Sequence, residues 1–234
     1  MSSEERPPLR IVISDPKAGD KVVKVKVKGV EDIEYDDSMR KTKEKERTRL
    51  PIARVSKKLV EELKLNEIGV MTLRFRTSDG KKVNVPFKVE VSDKLEDYVV
   101  EVNMELLGEA VGELEAEAEA FRAKAWQIAV PDDVAIRLAG LEINDVFDGS
   151  LVGLEGVRLR IRGGSDATGT PMHPGVPGAG KKRVLLSGPP GFHPREKGER
   201  RRKLVRGRMI PDPRGERRKT VLAQLNVVID YGEK

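Results

Sequence analysis

The chain has 234 residues, with 45 Lys and Arg against 39 Asp and Glu, a formal net charge of +6. That length has room for one large or two small domains, and with aromatics at only 4% any core must be built mainly from Val, Ile and Leu. Cysteine is absent, which excludes disulfides, thiolate metal sites and Cys nucleophiles together.

Near the N-terminus, Arg10 to Ser14 and Val22 to Lys28 are short β-branched runs separated by Asp15 to Asp20, which predicts a hairpin with a long turn. Val23 to Lys28 alternates strictly, so one face is buried and the other is a row of lysines that is either wet or touches phosphate. Ile33 to Arg49 is polar and reads as a linker or an exposed helix. A helix capped by Ser56 carries Leu59, Val60 and Leu63 and gives way near Gly69. Strands come next at Val70 to Arg76 and Lys82 to Val91, joined by the turn Ser78-Asp79-Gly80.

Met104 to Ala125 reads as one long acidic helix. Leu107, Val111, Leu114, Ala118, Phe121 and Ala125 fall on one stripe, with Glu105, Glu109, Glu113, Glu115, Glu117 and Glu119 on other faces. Those acids are expected to face solvent or a basic protein neighbour. A faint internal echo relates Ile52–Leu59 and Leu73–Asp79 to Ile128–Val134 and Leu159–Asp166, as a strand, a capped helix and a basic strand. No window approaches a membrane span and no apolar leader comes after Met1, so the expectation is a cytoplasmic protein with no membrane partner.

Charge is segregated along the chain. Gly156 to Lys219 holds 18 Lys or Arg against 5 Asp or Glu, whereas Glu90 to Glu119 has 11 acids and one base. The basic block is the footprint of phosphate-backbone binding. Its candidate RNA contacts are Lys181, Lys182, Arg183, Arg195, Lys197, Arg200, Arg201, Arg202, Lys203, Arg206, Arg208, Arg217 and Arg218. Guanidinium groups grip phosphates bidentately, and Phe192 is the one aromatic nearby, so folded RNA fits better than a base-stacked single strand.

Three other chemistries find little support. Gly175-Val176-Pro177-Gly178-Ala179-Gly180-Lys181-Lys182 approaches a phosphate-binding loop, but Lys182 replaces the hydroxyl that would hold Mg²⁺ and a β-branched run comes after it in place of a helix. His173 and His193 each precede a proline without acidic company, which argues against a metal site. No catalytic arrangement can be singled out, so an enzyme is not expected.

Arg160-Ile161-Arg162-Gly163-Gly164-Ser165-Asp166-Ala167-Thr168-Gly169-Thr170-Pro171-Met172, with the basic block directly after it, resembles the eukaryotic-type small-subunit ribosomal protein six family of archaea and eukaryotes. Further pieces of the resemblance are Asp148–Leu154, Val184–Gly188 and Lys197–Gly207, while Ile11–Pro16 and Tyr231–Lys234 resemble its archaeal branch. The resemblance implies a β-rich domain embedded in small-subunit rRNA beside other ribosomal proteins, with no catalysis, cofactor or small-molecule substrate. It also makes Gly163, Gly164, Ser165 and Asp166 a turn whose backbone approaches RNA. The usual short archaeal form has no counterpart to residues 31–131, and the long basic C-terminal helix of eukaryotic members is missing, so regulation by phosphorylation is not carried over. The expected fold is therefore α+β. Residues 1–30 and 132–234 form a mainly-β, barrel-like rRNA-binding core, interrupted by an α+β insertion over 31–131 that contains the acidic helix. The expected function is a structural constituent of the small ribosomal subunit; a transient RNA-binding assembly or translation factor is the alternative.

Overall fold

The computed structural model describes residues 8–42, 46–76, 80–93, 95–215 and 221–232. The chain divides into two compact units, one made of Met1–Ser14 with Gln127–Lys234 and the other of Asp15–Trp126. The fold is mostly β with three short α-helices among the described residues.

In the Asp15–Trp126 unit, strands β2 (Val23–Val30), β3 (Ile52–Val55), β4 (Val70–Arg76), β5 (Lys82–Val91), β6 (Val99–Asn103) and β7 (Glu115–Arg122) close a barrel in the order β2-β6-β3-β5-β4-β7. Helix α1 (Lys57–Glu62) links β3 to β4 and α2 (Met104–Ala110) links β6 to β7. The interior is aliphatic with two phenylalanines: Val25, Val27, Ala53, Val55, Leu73, Phe75, Phe87, Val100 and Val102 are all buried. Two halves of identical topology, β2-β3-α1-β4 and β5-β6-α2-β7, build it. Their pairings correspond register by register: Lys28 beside Glu101 matches Glu90 beside Arg54, and Val25 beside Ala118 matches Phe87 beside Met71. Ser56 and Asn103 stand at the N-caps of the two helices, where Asn103 accepts from the Glu105 N–H at 2.8 Å.

The long helix expected from Met104 to Ala125 is not formed. It stops at α2, with Gly112 at φ +85°, and Glu115 to Arg122 become strand β7. Alanine and glutamate favour helix in isolation, but the Glu-Ala alternation also has the period of a strand. Tertiary pairing decides: the small Ala118 and Ala120 sit opposite Phe75 and Leu73 on β4, filling a gap that larger residues would overfill. On the outer face Glu115, Glu117 and Glu119 lie directly opposite Lys28, Lys26 and Lys24 of β2. On the other side Arg76 and Arg74 donate to Glu119 at 2.7 and 3.4 Å, and the Arg76 hydrogen bond chiefly holds that carboxyl below its usual range. The lysine row is thus matched by an acidic row. At the end of β7, Arg122 turns inward and its Nε donates to the buried Asp15 carboxylate at 2.6 Å.

The other unit contains β1 (Leu9–Ser14), β8 (Ala125–Val130), β9 (Val146–Asp148), β10 (Arg158–Asp166) and β13 (Leu222–Asp230), which form a five-stranded sheet in the order β8-β1-β13-β10-β9. β1 is parallel to β13, and β10 is antiparallel to both β13 and β9. Ile11, Ile13, Leu159, Ile161, Leu225, Val227 and Ile229 form its buried face, and α3 (Asp132–Leu138) buries Ala135 and Leu138. Strands β11 (Lys181–Leu186) and β12 (Arg201–Arg206) form a separate two-stranded ribbon.

Two expectations are corrected. The closed barrel lies in Asp15–Trp126, whereas the unit carrying the basic block is an open sheet with a ribbon. Each of the six barrel strands is paired on both sides, whereas β8 and β9 end the open sheet. β1 and β2 form no hairpin, because β1 pairs in the open sheet and β2 pairs with β6 and β7. The sequence echo has strand, helix and strand in both copies, but these enter different sheets, and the duplication visible in the pairings lies inside the barrel. Of the turn expected at Ser78-Asp79-Gly80, only Gly80 lies within the described residues.

Reversing the acidic row (Glu115→Lys, Glu117→Lys, Glu119→Lys) places like charges across both neighbours of β7. It should lower the barrel's thermal midpoint by on the order of 5 °C in low salt, less in high salt. Adding Lys24→Glu, Lys26→Glu and Lys28→Glu should recover part of the loss; melting unchanged by the first set would show the ladder to be energetically idle.

Candidate nucleic-acid interface

The ribbon concentrates the basic block. Its antiparallel register places Lys181 opposite Arg206, Arg183 opposite Leu204, and Leu185 opposite Arg202 on one face; on the other, Lys182 faces Val205, Val184 faces Lys203 and Leu186 faces Arg201. Seven of these twelve residues are basic and none is acidic. Such a strand pair repels itself, so something else must hold it. The second face does so by packing Leu186 and Val205 with Val176 and Phe192 into a small apolar core, with Val184 against it.

The other anchor is Asp166, at the end of β10 and only 3% exposed. Its Oδ1 accepts from the Thr168 and Thr170 N–H groups, each at 2.9 Å, and from Thr168 Oγ1 at 2.7 Å. Its Oδ2 lies 2.5 Å from Lys181 Nζ and 3.6 Å from Arg206 Nη1, which brings together the first residue of β11 and the last of β12. Burial pushes the Asp166 carboxyl up, but hydrogen bonds from Lys181, Thr168 and Thr170 outweigh it and hold the group below its usual range.

The sequence-based contacts therefore separate. Lys182, Arg183, Arg195, Lys197, Arg200, Arg202 and Lys203 are exposed on the ribbon and on the loop between its strands. Arg201 is exposed but pairs with Glu199 at 2.8 Å, and Glu199 also accepts from the Arg195 N–H at 2.7 Å. Arg208 is exposed and pairs with Glu142 at 2.7 Å. Arg206 stands apart from these: at 1% exposure its guanidinium faces Asp166. Arg217 and Arg218 lie outside the described residues.

Gly163, Gly164, Ser165 and Asp166 form the bulged end of strand β10. A Cβ on Gly164 would stand 2.5 Å from the Gln224 carbonyl oxygen, so the close backbone approach is to β13. The loop that resembles a phosphate cradle is also occupied by its own chain. Val176 and Gly180 carbonyls accept from Arg208 and Gly207 N–H groups at 2.8 and 2.9 Å, and a Cβ on Gly207 would overlap the Gly178 oxygen. The next element along the chain is strand β11, so no helix N-terminus faces that loop.

Sequence reasoning passed over Arg158, Arg160 and Arg162 as RNA candidates, although their period-two spacing was visible. They alternate with the buried Leu159 and Ile161 and so share the outer face of β10. Arg158 and Arg160 pair with Asp230 at 3.3 and 2.9 Å, so one carboxylate is shared between two of the three cations on that face.

Asp166→Asn would leave two cations around a neutral amide and should cost roughly 2 kcal/mol near neutral pH, discounted from a fully buried pair because Lys181 is partly solvated. Because the folded-state carboxyl is depressed, this stabilisation is present above the unfolded pKa and lost as pH falls through the folded one. Urea unfolding should show the gap between wild type and variant closing below about pH 4. A gap that persisted in acid would assign the loss to something other than the carboxylate charge.

A family model described as ribosomal protein S6e matches residues 118–234. The chain is 78% identical over 232 residues to a small ribosomal subunit protein eS6 of Aeropyrum pernix, covering 99% of each. It is 51% identical to that of Hyperthermus butylicus, covering 97% of this chain and 99% of the relative. It is 39% identical to that of Saccharolobus islandicus, covering 95% of this chain and 99% of the relative. These archaeal alignments run through residues 31–131, so the segment expected to be an insertion is shared with these relatives. The chain belongs to the ribosomal protein S6e family.

Proposed function

We infer that this chain is a structural constituent of the small ribosomal subunit and that it holds small-subunit rRNA through the β11–β12 ribbon and its connecting loop. Membership of the eS6 family supports the first part. The observation that carries the second is the ribbon itself, seven basic residues in twelve with no acid, fixed at its base by Asp166 and exposed beyond it. Charge of that density, held on a rigid element, releases counterions on meeting a phosphate backbone and loses little entropy in doing so. Arg158, Arg160 and Arg162 on the outer face of β10 extend the basic surface of the same unit.

The barrel has a different part in this reading. Its Lys24, Lys26 and Lys28 row is matched by Glu115, Glu117 and Glu119, so it offers a charge-balanced surface suited to neighbouring ribosomal proteins more than to phosphate. The reading places the chain in cytoplasmic ribosomes and assigns it no reaction, cofactor or small-molecule substrate.

A transient assembly or translation factor would use the same basic surface but would not stay bound in salt. Sucrose-gradient sedimentation of a lysate in high salt separates the two. The chain should travel with the small subunit at one copy each, and an Arg200→Ala, Arg201→Ala, Arg202→Ala variant should leave the subunit at lower salt than wild type. Wild-type chain released to the top of the gradient would favour the transient factor, and a variant retained as firmly as wild type would remove the ribbon from the interface.

A further inference from the structure

The two faces of the ribbon are not alike, and the outward one carries an unexplained feature. Leu185 and Leu204 are 59% and 43% exposed on it, a diagonal pair beyond the Lys181–Arg206 base, and the crossing diagonal is Arg183 and Arg202. The ribbon has an apolar core of its own on the opposite face, so these leucines are not needed to hold its strands together. Leucines at such positions expose apolar surface in the most basic part of the chain, where Lys or Thr would serve solubility better.

Charge selects the occupant. The twelve ribbon residues hold no acid, and the surrounding block from Gly156 to Lys219 has 18 basic against 5 acidic residues, so the surface that covers the leucines is polyanionic. Two leucines are also a small patch beside the roughly 800 Å² that each partner of a stable protein interface buries. Duplex RNA meets both conditions. Its minor groove is wide and shallow, floored by base edges, lined by riboses with their 2′-hydroxyls and bordered by phosphates on both strands. Side chains standing off a rigid ribbon can lie flat in it.

We propose that the outward face of the β11–β12 ribbon docks on the minor groove of an RNA duplex, with Leu185 and Leu204 packed against the riboses that line it and Arg183 and Arg202 gripping phosphates of the two flanking strands. This rests on the rRNA-binding reading above and specifies which RNA feature the ribbon takes. The division of labour makes the two pairs separable. The arginines displace counterions and set the salt dependence, while the leucines contribute a salt-independent term.

The test is equilibrium binding of the full chain to a blunt RNA duplex of about twenty base pairs, to the DNA duplex of the same sequence, and to the single-stranded RNA, across a salt series. Leu185→Ser with Leu204→Ser should weaken RNA-duplex binding about tenfold at every salt concentration without changing the slope, and leave DNA-duplex binding unaltered. Arg183→Gln with Arg202→Gln should reduce the slope by about two units. All four side chains lie on the face away from the ribbon's core, and unchanged melting of the variants verifies the fold. A leucine variant that binds the RNA duplex as tightly as wild type overturns the proposal, as does wild-type preference for the single strand or for DNA. Wild-type chain that binds none of the three would instead sink the rRNA-binding reading beneath it.

Discussion

One buried carboxylate organises the basic half of the molecule. Asp166 meets Lys181 and Arg206, the two residues where the ribbon begins and ends, while two threonine N–H groups and a hydroxyl saturate its other oxygen. Without it the ribbon would be two strands of like charge with four buried apolar side chains to oppose their repulsion. With it, two of the seven positive charges are consumed at the base, a third, Arg201, pairs with Glu199, and Lys182, Arg183, Arg202 and Lys203 project from a base that is fixed to the central sheet through β10. The bulge and close packing at Gly163 and Gly164 place Asp166 at that base, which is why glycines resembling a nucleic-acid-approaching turn serve the chain's own backbone.

The two units show opposite uses of charge. In the barrel, β7 carries its glutamates between the lysines of β2 and the arginines of β4, so a dense array of ions is neutralised across hydrogen-bonded neighbours and the surface field is short-ranged. Closure also pairs each barrel strand on both sides. In the other unit the charges beyond Asp166 have few acidic neighbours among the described residues, so the field extends outward, and on the proposed reading rRNA supplies the compensation. The net charge of +6 conceals this division, since it averages a matched surface with an unmatched one.

The features legible in the sequence are those that depend on near neighbours. The alternation of Val23 to Lys28, the helix that starts after Ser56, the concentration of positive charge after Gly156 and the ordered family motifs are all local, and each has its counterpart in the structure or the comparisons. The features that escaped it depend on partners far along the chain. Glu115 to Arg122 has the composition of a helix and becomes a strand because β2 and β4 flank it, with Ala118 and Ala120 fitted against Phe75 and Leu73. Arg206 looks like its basic neighbours until Asp166, far earlier in the chain, is seen to bury it. The hairpin expected at the start fails for the same reason, because β1 finds β13 at the other end of the chain.

Whether the ribbon's unmatched charge is the surface by which this chain is held to small-subunit rRNA can be read from its lysines. Acetylation with a small amine-reactive reagent, measured by mass spectrometry on the free chain and on intact small subunits, addresses it most directly. Lys182, Lys197 and Lys203 should react readily in the free chain and become strongly protected in the subunit, while Lys24, Lys26 and Lys28 change far less. Ribbon lysines that stay equally reactive in the subunit, with the barrel lysines protected instead, would contradict it.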